Sequence, residues 1–286
     1  MTGSSARKLK RSGVDLLAGR AVIKTMHPFM AAELGEAFSL EEALELGMLP
    51  LVNDAQSPKE AINAYVAVYL REEVQMEGLV RNIGAFSRFL ESASLSHGAV
   101  LNISNVARDC QVEHKTVEGY VSILEDLLLA FRIPVFGKRA KRHLASHPKI
   151  YYFDSGVFRS LRPSGPLDAP QEIEGAALEG LVAQHLRAWN AYRGYQCNLY
   201  FWRTKSGNEV DFVLYGKDTF CAIETKNTAK IHPRMLNGLL AFRQDYPEAE
   251  VCLLYRGQER LKTKNVLCLP CNEFLKNLTP QNSIRF

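Results

Sequence analysis

The chain has 286 residues, 47% hydrophobic and 23% charged, with a formal net charge of +4. That balance excludes a disordered chain, and so small a net charge does not itself call for a nucleic-acid partner. No apolar run reaches membrane-spanning length, since Leu127–Phe131 is stopped at Arg132, and the basic start leads into no apolar core of a secretory signal.

A chain of this length predicts about two or three domains. Its six cysteines are scattered in apolar contexts, as in reduced, buried thiols of a cytoplasmic protein. Cys268-Leu269-Pro270-Cys271 has the local spacing of a zinc pair, but no second pair completes four ligands, so it reads as two small hydrophobes at a strand end.

Residues 1–24 begin small, polar and basic and continue into the short apolar segment Leu16–Ile23. From 25 to 97 the pattern is helical. Ser39 is placed to cap a helix opening at Leu40, with Glu42 at capping-box spacing and Gly47 closing it. After the polar loop Asn53–Pro58, a second helix starts with proline in its first turn and carries the stripe Ile62, Tyr65, Val66, Tyr69 and Val74. A third helix is expected from about Gly78 to Ser92. No chemistry is visible in this region, which reads as a support or a surface for a homo-oligomer or protein partner.

Residues 98–148 read as a helix-turn-helix with a wing. Ser104 is expected to cap a short helix, Asn105–Cys110; Gln111–Glu113 turns the chain, and a longer helix runs from His114 to about Ala130. A hairpin from Arg132–Phe136 onward carries Lys138, Arg139, Lys141 and Arg142 around Ala140. Such clustering suits phosphate contacts, and His114, Lys115 and Thr116 are the groove-facing candidates, so DNA is the expected partner. The competing reading is a winged helix that packs on protein, its basic tip merely solvated.

Residues 149–286 are expected to form a further domain. Lys149–Phe153 reads as a strand, and Asp154 or Ser155 as the cap of the helix that follows, capping rather than catalysis accounting for Asp154. A linker spans about 162–171. In the next helix, Leu178, Leu181, Val182, Leu186 and Trp189 form a stripe with Glu179 at its edge. Two strands follow, Glu209–Tyr215 and Phe220–Lys226, around the turn Gly216-Lys217-Asp218. That turn sets Asp211 opposite Ile223 or Glu224, and Glu224 shares a strand face with Lys226. Like charges so crowded are costly unless compensated, and hard oxygen ligands suit Mg2+ or Mn2+. Glu209 shares a face with Asp211, which leaves the ligand assignment between them open. An amphipathic helix over Pro233–Tyr246 and strands at Glu250–Tyr255 and Asn265–Leu269 complete the chain.

An Asp, a spacer and Glu-x-Lys on adjacent strands, after a helix bearing its own Glu, resembles the restriction-endonuclease-like, or PD-(D/E)XK, superfamily. The resemblance implies a mixed α/β chain: a helical lid and winged helix, then a restriction-endonuclease-like α/β domain with a central mixed sheet. It implies that Asp211 and Glu224, helped by Glu179, hold Mg2+ or Mn2+, that Lys226 assists the attacking water, and that the reaction is phosphodiester hydrolysis. The alternative is a non-catalytic DNA-binding or protein-docking module on the same scaffold. The whole chain also resembles the C-terminal part of bacterial and archaeal AAA-type ATPases that carry a C-terminal domain of unknown function, through Gly3-Ser4-Ser5, Ala18-Gly19-Arg20, Pro28-Phe29, Glu33-Leu34-Gly35 and Tyr69–Val74. In an intact relative, Ser5 and Arg7 would face ATP. No Gly-x-x-x-x-Gly-Lys-Ser/Thr occurs, so ATP hydrolysis by this chain is not expected, and the chain reads as truncated or started at an internal methionine.

Overall fold

The computed structural model describes residues 24–69, 74, 80, 82–138, 147–166 and 168–286. The expected nucleotide-facing Ser5 and Arg7, and the basic residues Arg139, Lys141 and Arg142, lie outside the described residues. The chain is a mixed α/β protein, as expected.

The helical region holds α1 (Ala31–Leu34), α2 (Leu40–Leu46), α3 (Pro50–Asn53) and α4 (Pro58–Ala64), the last passing into a π-helical turn at Tyr65–Tyr69. Ser39 caps α2 by accepting a hydrogen bond from the Glu42 amide at 3.3 Å, and α2 closes at Gly47.

A winged helix follows in the order α5 (Ile83–Ser94), β1 (Ala99–Val100), α6 (Ile103–Cys110), α7 (His114–Asp126), β2 (Ala130–Ile133) and β3 (Lys149–Tyr152). Its three strands form an antiparallel sheet in the order β1-β3-β2. Two details depart from expectation. The cap of α6 is Asn102, whose side chain accepts from the Asn105 amide at 3.0 Å, so the helix opens two residues before the position Ser104 would set. A short Asx side chain competes well for that role. The strand at Lys149–Tyr152 belongs to the winged sheet by its backbone, paired with β1 and β2, rather than opening the sheet of the last domain.

Asp154 caps α8 (Ser155–Leu161), as read from sequence. Its Oδ1 accepts from the amides of Gly156 (2.9 Å) and Val157 (3.1 Å), and its Oδ2 from Met48 (2.7 Å), which ties the helical region to this helix.

The last unit begins with the long helix α9 (Pro170–Tyr192), with proline at its first turn. It continues through β4 (Cys197–Arg203), β5 (Glu209–Gly216), β6 (Phe220–Lys226), α10 (Asn237–Asp245), β7 (Glu250–Tyr255), β8 (Leu261–Thr263), β9 (Val266–Pro270) and α11 (Cys271–Asn277). The six-stranded sheet has the order β4-β5-β6-β7-β9-β8; its first three strands form an antiparallel meander, and β6, β7 and β9 run parallel. Strand β8, absent from the sequence reading, pairs with β9 through a turn in which Lys264 and Asn265 both have positive φ (50° and 59°). One face of the sheet packs on α9 and the winged and helical regions, and the other on α10.

Two features position the site. Between the pairs Tyr200–Val213 and Trp202–Val210, β5 spends two residues, Asp211 and Phe212, against one in β4, Phe201. This is a β-bulge, a device that re-aims a side chain and bends its strand. The free edge of β4 is covered there by the wing: the Phe136 amide donates to the Phe201 carbonyl at 2.6 Å, and the Phe201 amide to the Pro134 carbonyl at 3.0 Å. Phe136 is fully buried among Tyr200, Tyr215, Phe220, Phe242 and Tyr246, with ring centroids 5.2 to 6.0 Å away.

Candidate functional site

The β5–β6 ladder runs from Tyr215–Phe220 to Phe212–Ile223 and ends at the bulge. Beyond that point side chains take over from backbone pairing. Asp211 Oδ2 accepts from both the amide and the hydroxyl of Thr225, each at 2.8 Å, and the Asp211 amide donates to Glu224 Oε2 at 3.3 Å. Lys226 Nζ bonds Glu224 Oε1 at 2.5 Å. The hairpin therefore brings Asp211, Glu224 and Lys226 together, as its turn predicted.

Glu179 joins them from α9. Its Oε1 accepts from Tyr151 Oη at 2.6 Å and from Lys149 Nζ at 2.9 Å. Lys149 links it to the hairpin: the same ammonium lies 2.5 Å from Glu209 Oε1 and 3.7 Å from Asp211 Oδ1. The Lys149 side chain is only 3% exposed. Sequence reasoning missed Lys149 and Tyr151 as site residues; the only signal was a charged residue heading an otherwise apolar strand. Glu209, left open beside Asp211, is turned toward Lys149 and Arg203 rather than toward Glu224. Close approach shapes the wall. A side chain on Gly98 (φ +74°) would begin 3.4 Å from the Glu179 carboxyl, and one on Gly180 would collide with the buried ring of His97.

The charges are out of balance. Glu179, Glu209, Asp211 and Glu224 face the ammonium groups of Lys149 and Lys226, with Arg203 at the rim. Burial, then the neighbouring Asp211, pushes Glu224 up to about 8 and Glu179 up to about 7, against the pull of their lysines. Burial alone would lower the Lys149 ammonium, but Glu179, Asp211 and Glu209 overcome it and hold it above the ordinary lysine range. Lys226 is raised in the same way, mainly by Glu224 against its own burial.

Among the described residues, no group of three or more His, Cys, Asp or Glu side chains stands close enough together to hold a metal ion. The donor chemistry nonetheless suits a divalent ion. It consists of hard carboxylate oxygens, the donors that Mg2+ or Mn2+ prefers.

The expected DNA contacts divide. His114 and Lys115 are exposed on the first turn of α7, and Thr116 is partly so. Their surroundings are acidic: residues 103–126 contain Arg108 and Lys115 against Asp109, Glu113, Glu118, Glu125 and Asp126. Lys138 does not stand beside α7 but over the ring of Tyr215 in β5, 4.3 Å from its centroid. That contact follows from the docking of the wing on the sheet.

Residues 174–274, which hold Glu179 and the whole hairpin, match a domain of unknown function (DUF4143). Residues 37–168 match a second domain of unknown function (DUF8612). Comparison with curated proteins finds no match, and comparison with solved structures finds none. Among the described residues no helix is long and apolar enough to cross a membrane.

Proposed function

We propose that the chain is a restriction-endonuclease-like phosphodiester hydrolase that acts on DNA in the cytoplasm, with Asp211, Glu224 and Glu179 holding Mg2+ or Mn2+. One observation carries the reading: three carboxyls and an ammonium, delivered by a helix and two strands, meet at the open end of one hairpin. The succession of helix, three antiparallel strands, helix and parallel strand supports it as well.

When bound, such an ion acidifies a coordinated water and offsets charge on the phosphate. The protein's own groups do the rest. Thr225 fixes one oxygen of Asp211, while Tyr151 and Lys149 fix one oxygen of Glu179, so the carboxyls cannot swing apart. Lys226, held on Glu224 and about one-third exposed, is the ammonium open to solvent. It is the group placed to orient the attacking water or to donate to a phosphate oxygen as negative charge builds there.

Plasmid nicking in Mg2+ or Mn2+ tests the proposal. Wild type is expected to nick, and the pair Asp211→Asn with Lys226→Ala to fall to background; equal nicking by both removes the catalytic reading.

The acidic surplus around α7 favours a second reading for the winged unit alone, as a protein-docking face with DNA engaged elsewhere on the chain. Domains like the one matched at 174–274 are common in AAA-ATPase-associated proteins, which supports placing the chain as the effector portion of such an ATPase family.

A further inference from the structure

Resting on the metal-dependent reading above, we propose that Lys149 is a built-in second cation, so that the site takes a single divalent ion, on its Asp211–Glu224 side. Nuclease sites that use two metals seat them about 4 Å apart, where together they balance the attacking and leaving oxygens. Here one of the two positions already holds positive charge. Lys149 Nζ has three N–H donors and three carboxylate neighbours, Glu179, Glu209 and Asp211. The Phe201 ring lies 5.4 Å from the ammonium, Tyr151 shares its oxygen on Glu179, and the Gly98 backbone closes against the same carboxyl. These contacts surround the ammonium on the side where a second ion would sit.

The opposite side differs. Glu224 is held by Lys226, whose side chain is partly exposed and can move aside. Lys149 cannot. Its backbone is paired on both edges, with Val100 in β1 and Ile133 in β2, and its buried ammonium is held by Glu179, Glu209 and Asp211. Chelators can strip a bound ion from this site but not a tethered lysine.

Calorimetric titration of the full chain with Mn2+ tests this without relying on activity. Wild type and Lys149→Arg are expected to bind one ion. Lys149→Met, similar in length but uncharged, is expected to bind a second ion, or to bind the first about tenfold more tightly. Binding by Lys149→Met identical to wild type in number and affinity overturns the proposal while leaving the metal-dependent reading standing; two ions in wild type do the same. No binding by wild type but one ion in Lys149→Met overturns the single-ion proposal and the metal-dependent reading together. No binding by either variant overturns both. Should Lys149→Met unfold in chelator, recovery of its melting transition on adding Mn2+ supports the proposal, and a chain that stays unfolded at saturating Mn2+ overturns it.

Discussion

Two parts of the molecule gather acidic residues, and they handle them differently. Around α7 the acids lie toward solvent; Glu125, for example, pairs with Arg132 at 2.6 Å on the surface. At the hairpin, Glu179, Asp211 and Glu224 are largely buried against β3, β5 and β6, where Lys149 and Thr225 hold Glu179 and Asp211 and Lys226 pairs with Glu224. Water screens the first group, so its pairs contribute little. In the second, desolvation makes each missing partner expensive, and that expense holds reactive groups in place.

The sharpest way to break this contrast is Lys149→Ala in the presence of chelator. It leaves three carboxylates around an absent ammonium, and a loss of about 3–5 kcal/mol is expected in urea denaturation. A loss below about 1 kcal/mol would place the hairpin with the solvent-screened pairs. Phe136→Ala comes next: it empties an aromatic pocket and frees the wing from β4, and about 3 kcal/mol is expected by the same assay.

A pH series probes the buried group. Glu224 and Glu179 have folded values of about 8 and 7, above the ordinary 4.5 of the unfolded chain. The folded state therefore keeps protons that the unfolded state releases. Without metal, the melting temperature is expected to fall as pH rises from about 5 to 8, and Glu224→Gln to flatten that slope. Mn2+ affinity should rise over the same window, because bound protons must leave first. The smallest effect belongs to the surface: Arg132→Ala should cost less than about 1 kcal/mol. If α7 does touch DNA, Lys115→Ala should lower the salt slope of binding by about one.

Much of the fold follows from local signals. Ser39 and Asp154 are short polar side chains ahead of apolar runs, and both cap helices. Gly216-Lys217-Asp218 between two apolar strands sets the hairpin register, and with it the meeting of Asp211, Glu224 and Lys226. What local signals do not carry is what crosses the fold. The bulge at Asp211 exists only as a mismatch with Phe201, a residue of another strand. Lys149 precedes four aromatic or aliphatic residues and reads as the polar head of a core strand; its partners lie 30, 60 and 62 positions further along the chain. Strand β8 has three residues, two of them exposed, and turns through Lys264 and Asn265 rather than glycine, so neither periodicity nor turn chemistry announces it.

Strand β3 has its hydrogen bonds in one unit and its working side chains in the other. The two family matches meet between residues 168 and 174, between that strand and the hairpin. A fragment severed there would keep its acids and surrender the lysine and tyrosine that restrain them. The pocket is therefore assembled from side chains of both matched regions.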